Sequence, residues 1–183
     1  GTMERSEGAC EEAGQAVSAL RDWSGFKAAA RRKELAPSGY KRMGGFMQEV
    51  HDGRRMRDSG WLEFIDGQRI GEDIHKTSTI TSVDEKHGAT GGMVFVEVEH
   101  ELRGGAGLAI RETQTIVYLP IAPTFTPPQK QPGITADLAI DVHQPVSMAL
   151  LFRYSAITFN AHRIHYDMPY ARQVEHYPGL VVH

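Results

Sequence analysis

Met93-Val94-Phe95-Val96-Glu97-Val98-Glu99-His100-Glu101-Leu102 alternates apolar and polar side chains along its length. In an extended strand successive side chains point to opposite faces. Val94, Val96, Val98 and Leu102 therefore share one face, and Glu97, Glu99 and Glu101 share the other. The valine face is expected to cover something apolar, most simply a helix, while the glutamates meet solvent. Two neighbouring stretches behave alike: Ile74 to Val83 is β-branched and Thr-rich, and Leu108 to Leu119 alternates through Leu108, Ile110, Ile116 and Tyr118. Gly104-Gly105-Ala106-Gly107 is a hairpin signal, and Asp84-Glu85-Lys86-His87-Gly88 a turn candidate. The three strands are expected to form an antiparallel meander.

On the amino-terminal side, residues 4 to 36 are rich in Ala, Glu, Arg and Lys and carry Val17, Leu20, Trp23, Phe26 and Leu35. This composition predicts helix, interrupted near Gly25, with Ser24 able to cap the second segment. The basic triplet Arg31-Arg32-Lys33 is read first as a solvated helix face and second as a contact for a phosphate-bearing ligand. Residues 37 to 60 lack a sustained period and read as loop with one short strand. On the carboxy-terminal side, five of the nine prolines (120, 123, 127, 128 and 132) fall within thirteen residues. Proline fixes its own torsion and lacks an amide donor, so this stretch reads as an extended linker. Ser147 is placed to cap a helix in which Met148, Leu151, Phe152 and Ser155 share a stripe, ending near Phe159-Asn160. Asp167-Met168-Pro169 is a second helix start. The organisation expected is a unit at 4–119, a linker at 120–145 and the start of another unit at 146–183.

The chain has 183 residues, 40% hydrophobic and 23% charged, with a formal charge of −3. Such a balance belongs to a globular domain and speaks against a dedicated nucleic-acid binder, which would gather Lys and Arg on one face. Cys10 is the single cysteine, so no internal disulfide forms; this fits a reducing compartment. No apolar run approaches the ~20 residues that a membrane-spanning helix needs.

Five of the nine histidines lie between His143 and His183. Asn160 and His165 stand five apart across the expected helix end, so an amide and an imidazole can converge on one small molecule. An imidazole exchanges a proton near neutral pH, whereas a carboxamide only holds and orients. His165 would be the base and Asn160 its orienter. On the residues alone, a structural or solvated role for these histidines stands beside this reading, and so does a metal site from His162, His165 and Asp167.

The run Phe152-Arg153-Tyr154-Ser155-Ala156-Ile157-Thr158-Phe159-Asn160-Ala161-His162-Arg163-Ile164-His165-Tyr166-Asp167 is followed by Pro169-Tyr170-Ala171 and by Tyr177-Pro178-Gly179-Leu180-Val181-Val182-His183. Together these resemble the MaoC-like double-hotdog hydratases and dehydratases. The nearest branch is the mesaconyl-CoA hydratase and 3-hydroxyacyl-thioester dehydratase group. Thr77-Ser78-Thr79-Ile80 and Ile116-Val117-Tyr118 are similar to that group's amino-terminal unit.

The resemblance implies an α+β hotdog fold, an antiparallel sheet wrapped around a helix, with one amino-terminal unit and the truncated start of a second. It implies a hydro-lyase acting on a 2-enoyl or 3-hydroxyacyl thioester, an acyl-CoA first among carriers, in fatty acid metabolism. Asn160 and His165 match the family's catalytic pair; Asn160 stands where the wider family has Asp, which leaves His165 as the one general acid and base. Tyr154, Arg153 and His183 are candidate substrate-binding residues. The family holds the thioester oxygen with the amide of a glycine directly after the histidine matching His183. No metal and no redox cofactor are implied. Leu151, Phe152, Ile157, Leu180, Val181 and Val182 are expected to need a missing segment, a partner chain or a second copy to cover them; the chain is read first as a fragment of a longer protein, inactive alone, with a fold-completing partner chain and a naturally shortened relative as the alternatives. The compartment expected is the cytoplasm, or the mitochondrial matrix in a eukaryote. A noncatalytic acyl-thioester-binding or assembly subunit is the alternative, followed by a hotdog thioesterase.

Overall fold

A computed structural model describes residues 12–25, 30–42, 53–88, 91–127 and 142–183. The chain divides into two compact units, one from Gly1–Phe26 with Arg55–Leu119 and one from Lys27–Arg54 with Pro120–His183.

The first unit is built on a four-stranded sheet of β1 (Arg54–Phe64), β2 (His75–Gly88), β3 (Gly91–Gly104) and β4 (Gly107–Leu119), in the order β1-β4-β3-β2. The β2–β3 and β3–β4 pairs are antiparallel. The alternation of β3 is realised: Val94, Val96, Val98 and Leu102 are buried. Val94 opposes Tyr118, Val96 opposes Ile116 and Leu102 opposes Ile110 on β4, all six being buried. Leu102, Ala109 and Ile110 form a cluster against Leu62 and Ile74. Gly105 and Ala106 make the two-residue turn between Gly104 and Gly107, and Gly107 sits at φ +119, a torsion that glycine alone adopts freely.

Four expectations change. Residues 84–88 are not a turn: β2 runs on through them, with Asp84 opposite Phe95 and Gly88 opposite Gly91. Lys86 lies over the Phe95 ring at 4.5 Å, so a charged run that reads as a turn is held as strand by its partner. β1 is eleven residues, not a short piece in a loop. Most of its side chains are exposed on both faces, which erases the alternation from the sequence and leaves backbone pairing to β4 to define it. The described residues between 12 and 36 are not α-helical. Gly14 N–H donates to Ile70 O, Val17 N–H to Gln68 O and Ile70 N–H to Gln15 O, and only single 3₁₀ turns form at Arg21–Ser24 and Arg32–Glu34. Pairing with residues 68–70 has overridden helix propensity. No α-helix lies among the described residues of the first unit, so a helix beneath the valines is not among them.

One rung of the core face is polar. On the strand order β1-β4-β3-β2 it reads Arg57, Glu112, His100, Ser78: Arg57 Nη2 donates to Glu112 Oε1 at 3.0 Å, Glu112 opposes His100, and His100 Nδ1 is 2.7 Å from Ser78 Oγ. Glu112 is 2% exposed, and the Arg57 guanidinium lies 5.1 Å from the Trp23 ring. Burial, with the charges of Lys76 and Arg57 opposing Glu112, pulls the His100 imidazole down to about 4.

The second unit carries α1 (Met148–Ile157) and α2 (Met168–Gln173). Both caps are as expected: Ser147 Oγ accepts from Leu150 N–H, Asp167 accepts from Tyr170 N–H, and Pro169 lies in the first turn of α2. The apolar stripe of α1 is narrower than its sequence suggests, with Leu151 and Ser155 buried and Met148 and Phe152 exposed. Residues 120–127 of the proline-rich stretch form no helix or strand, and the rest of it lies outside the described residues. No described helix is long and apolar enough to cross a membrane.

Removing the guanidinium would leave the Glu112 carboxylate buried without its ion-pair partner. Arg57→Ala is therefore expected to lower the unfolding free energy by about 3 kcal/mol in urea denaturation. Adding Glu112→Leu should recover most of that loss, a non-additivity that a double-mutant cycle reads directly.

Candidate active site

The site lies in the second unit and begins where α1 stops. Thr158 caps α1, Phe159 takes a left-handed torsion at φ +51, and the last amides fold back, Phe159 N–H to Ala156 O and Asn160 N–H to Ser155 O at 2.9 Å. This is the Schellman arrangement with an aromatic residue at the position glycine usually fills, at a cost of roughly 1 kcal/mol. It delivers Asn160 directly off the helix end. Asn160 Oδ1 then accepts from His162 N–H at 3.1 Å, and Asn160 Nδ2 donates to His183 Nδ1 at 3.4 Å.

His165 follows in a 3₁₀ turn, Arg163–His165. The turn is braced from one side by Arg163, whose guanidinium grips Asp167 Oδ2 at 2.8 and 2.9 Å and stacks over the Tyr170 ring at 4.2 Å. From the other side residues 37–39 press on it: Arg163 N–H donates to Ser38 O, and Arg163 Nη1 donates to Pro37 O. Gly39, at φ +92, lies so close to the Ala161 carbonyl that no Cβ fits between them.

The final segment closes the site. Val181 N–H donates to Ile164 O at 3.0 Å, and Val181 O accepts from His165 Nδ1 at 2.9 Å. A carbonyl only accepts, so Nδ1 of His165 carries the proton and Nε2 of the neutral ring carries the lone pair. Two residues on, the His183 ring stacks on His165 with centroids 3.8 Å apart and planes 23° apart, and lies 4.7 Å from the Tyr154 ring. Nε2 of His183 donates to Leu151 O at 3.2 Å and sits 3.0 Å from Ser155 Oγ, which leaves its Nδ1 to receive Asn160. Burial, with the neighbouring His183 and His162 opposing the Val181 hydrogen bond and Glu175, pulls the His165 imidazole down to about 4. Burial lowers His183 as well.

His162 presents its ring edge-on to His165, with 5.5 Å between centroids and 89° between planes. Its other sides are occupied by Tyr40, at 4.3 Å, and by Glu175, whose Oε1 accepts from Nε2 at 3.0 Å. Glu175 is 2% exposed and is gripped in turn by Arg54, Nε to Oε2 at 3.1 Å and Nη2 to the Glu175 carbonyl. Burial pushes the Glu175 carboxyl up, but the hydrogen bond and charge of His162, with Arg54, outweigh it and hold the group below the ordinary range.

Of the expected residues, the fold brings Asn160, His165, His183 and Tyr154 together. Arg153, next to Tyr154 on α1, is exposed. His162, His165 and Asp167 do not converge: Asp167 is engaged by Arg163 and Tyr170 N–H, and His162 by Glu175. No group of three or more metal-ligating side chains stands together among the described residues. Glu175, Arg54 and Tyr40 were missed by the sequence reading, since each is a lone residue outside any period and is made relevant only by long-range packing.

Residues 22–183 match the family described as hydroxyacyl-thioester dehydratase type 2. The chain belongs to this family. It is 39% identical over 168 residues to the mesaconyl-C(4)-CoA hydratase of Chloroflexus aurantiacus, an alignment covering 90% of this chain and 59% of that protein. It is 36% identical over 76 residues to the mitochondrial hydroxyacyl-thioester dehydratase type 2 of Schizosaccharomyces pombe, covering 41% of this chain and 24% of that one. The chain thus spans less than two thirds of the length of these curated relatives. Among solved structures, a MaoC-like dehydratase matches with a TM-score of 0.51 at 15% identity, covering 71% of this chain and 50% of its own. HtdX from Mycobacterium tuberculosis matches with a TM-score of 0.51 at 16% identity, covering 75% and 53%. These structures establish the hotdog class of α+β fold expected from the sequence.

The lowered imidazoles give the fold an acid limit. Above pH 6.5 His165 and His100 are neutral whether the chain is folded or not. Below it the unfolded chain binds protons that the folded chain refuses until about pH 4, so stability present above 6.5 is lost as pH falls through that window. The urea midpoint is expected to drop steadily between pH 7 and 4.5, and less so in a His100→Gln, His165→Gln double variant.

Proposed function

We propose that the protein carrying this chain adds water across a 2-enoyl thioester, or removes it from a 3-hydroxyacyl thioester, with an acyl-CoA as the substrate class. The observation that supports this most directly is the state of His165: a buried imidazole whose Nδ1 proton is committed to Val181 O, so that Nε2 is a proton acceptor. In hydration, water oxygen bonds to the β-carbon while its proton passes to Nε2. The electron pair of the double bond moves toward the thioester carbonyl, and the proton on Nε2 then goes to the α-carbon. Dehydration reverses each transfer. An imidazole held near 4 is unprotonated at neutral pH and, once protonated, is a ready donor to the α-carbon.

Asn160 has the complementary part. Its carbonyl is taken by His162 N–H and one amide hydrogen by His183, which leaves one amide hydrogen to hold the water oxygen. This chemistry calls for proton transfer alone, with neither a metal nor a redox cofactor. Residues 4–119 are read as the amino-terminal hotdog unit, with the stretch from Lys27 to Arg54 packed into the compact unit of the carboxy-terminal residues, 120–145 as the linker and 146–183 as the start of the second. The side chains that α1 leaves exposed, Phe152 and Ile157 among them, are the surface on which the remainder of such a unit, a partner or a second copy would pack. Tyr154 and His183 are assigned to the substrate side of the cluster. A reducing compartment, cytoplasmic or mitochondrial, and a place in acyl-thioester metabolism accompany the reading.

The test is hydration of crotonyl-CoA and of mesaconyl-C4-CoA, the substrate named for the Chloroflexus relative, followed by loss of the enoyl-thioester absorbance with the complete protein. His165→Ala is expected to lower kcat at least ~10²-fold, while Asn160→Ala keeps a measurable fraction. Equal and mild losses in both would count against the assignment. Binding without turnover would make the protein an acyl-thioester-binding subunit, and release of free CoA thiol would make it a thioesterase.

A further inference from the structure

The carboxylate of Glu175 accepts one hydrogen bond on each oxygen. Oε1 takes Nε2–H of His162 at 3.0 Å and Oε2 takes Nε–H of Arg54 at 3.1 Å. The Arg54 guanidinium stacks on the Tyr177 ring at 4.3 Å. Arg54, Glu175 and His162 therefore form a buried line, and its far end touches both members of the proposed pair. His162 N–H holds Asn160 Oδ1, which decides that the amide side of Asn160 turns toward His183. The His162 ring stands edge-on against His165, whose Nδ1 is held by Val181 O.

None of these three residues supplies a proton or a lone pair that the hydration step uses. Burying an arginine, a glutamate and a histidine together is costly unless every donor and acceptor is matched. Here the matching serves the aim of two other side chains. We propose that Glu175 is a positioning residue for the hydro-lyase reaction, acting through His162 to set the amide of Asn160 and the ring of His165 against the water. This rests on the hydratase reading above. A displacement of a reacting group by about 1 Å is enough to cost on the order of 10²-fold in rate, so a group that never meets the substrate can still govern turnover.

Glu175→Gln separates positioning from mere packing. The amide has the carboxylate's shape but only one oxygen, so it accepts from Arg54 or from His162 and turns an NH₂ toward the other donor. The complete protein is assayed with crotonyl-CoA and mesaconyl-C4-CoA. The expected result is a kcat lowered about 10- to 100-fold, a KM within about threefold and a thermal melt close to that of the unaltered protein, with Glu175→Asp recovering part of the rate. His162→Gln, which removes the ring between Tyr40 and His165 but keeps a side-chain donor, is expected to show the same kcat-specific loss and decides the matter if Glu175→Gln does not fold. Unaltered kcat in either folded variant overturns the proposal, as does a loss confined to KM or one that follows the melting temperature. The unaltered protein and His165→Ala are run in parallel: no turnover by the unaltered protein would remove the hydratase reading itself, whereas an active unaltered protein and an inactive His165→Ala beside an unaffected Glu175→Gln would remove only the positioning role.

Discussion

An ionised carboxylate with almost no contact with water organises the second unit. Glu175 is stable there because Arg54 and His162 meet its two oxygens, and the penalty for burying such a charge unpaired is several kcal/mol. The requirement passes outward. His162 must keep its proton on Nε2, its ring is held between Tyr40 and Glu175, and its backbone amide is left facing Asn160. The loop from Asn160 to Asp167 thus has its shape imposed from inside by electrostatics and from outside by Arg163. Hydrophobic burial contributes little to the loop itself, since Ile164 is its one buried aliphatic side chain.

The sheet obeys a different balance. β3 is legible from its sequence because one face is buried and the other is half-buried, and period two is the signature of that asymmetry. β1 is not legible, since a strand exposed on both faces has no reason to alternate. The amino-terminal residues mislead for a third reason: their helix-forming composition is a local preference of tenths of a kcal/mol per residue, and the hydrogen bonds to residues 68–70 outweigh it. The polar rung of Arg57, Glu112, His100 and Ser78 is hidden differently. Each residue sits in its strand as an apparent break in the pattern, and only the register shows that the four breaks coincide.

For the site, Asn160 and His165 were readable as chemistry-bearing types at a helix end, and the family resemblance pointed to them by position. What the letters do not carry is the tautomer of His165, which depends on a carbonyl sixteen residues away, or the stacking of His183. Arg153 shows the converse. Adjacent to Tyr154 in sequence, it is turned by the helix to another face, because residues next to each other in a helix diverge by about 100°.

The contact of residues 37–39 with residues 161–163 spans most of the chain: Pro37 and Arg163 are 126 positions apart. The β3–β4 hairpin closes over two residues. Loop closure grows slower and entropically dearer with separation, so the order of assembly follows from this disparity. By that argument the hairpin belongs to the early events of folding, while the loop bearing Asn160 and His165 gains its final backbone only when a segment more than a hundred residues upstream arrives. A nascent chain leaving the ribosome would therefore hold residues 37–39 solvated through the synthesis of the residues that separate Pro37 from Arg163, 126 positions on, before the loop could take its final form.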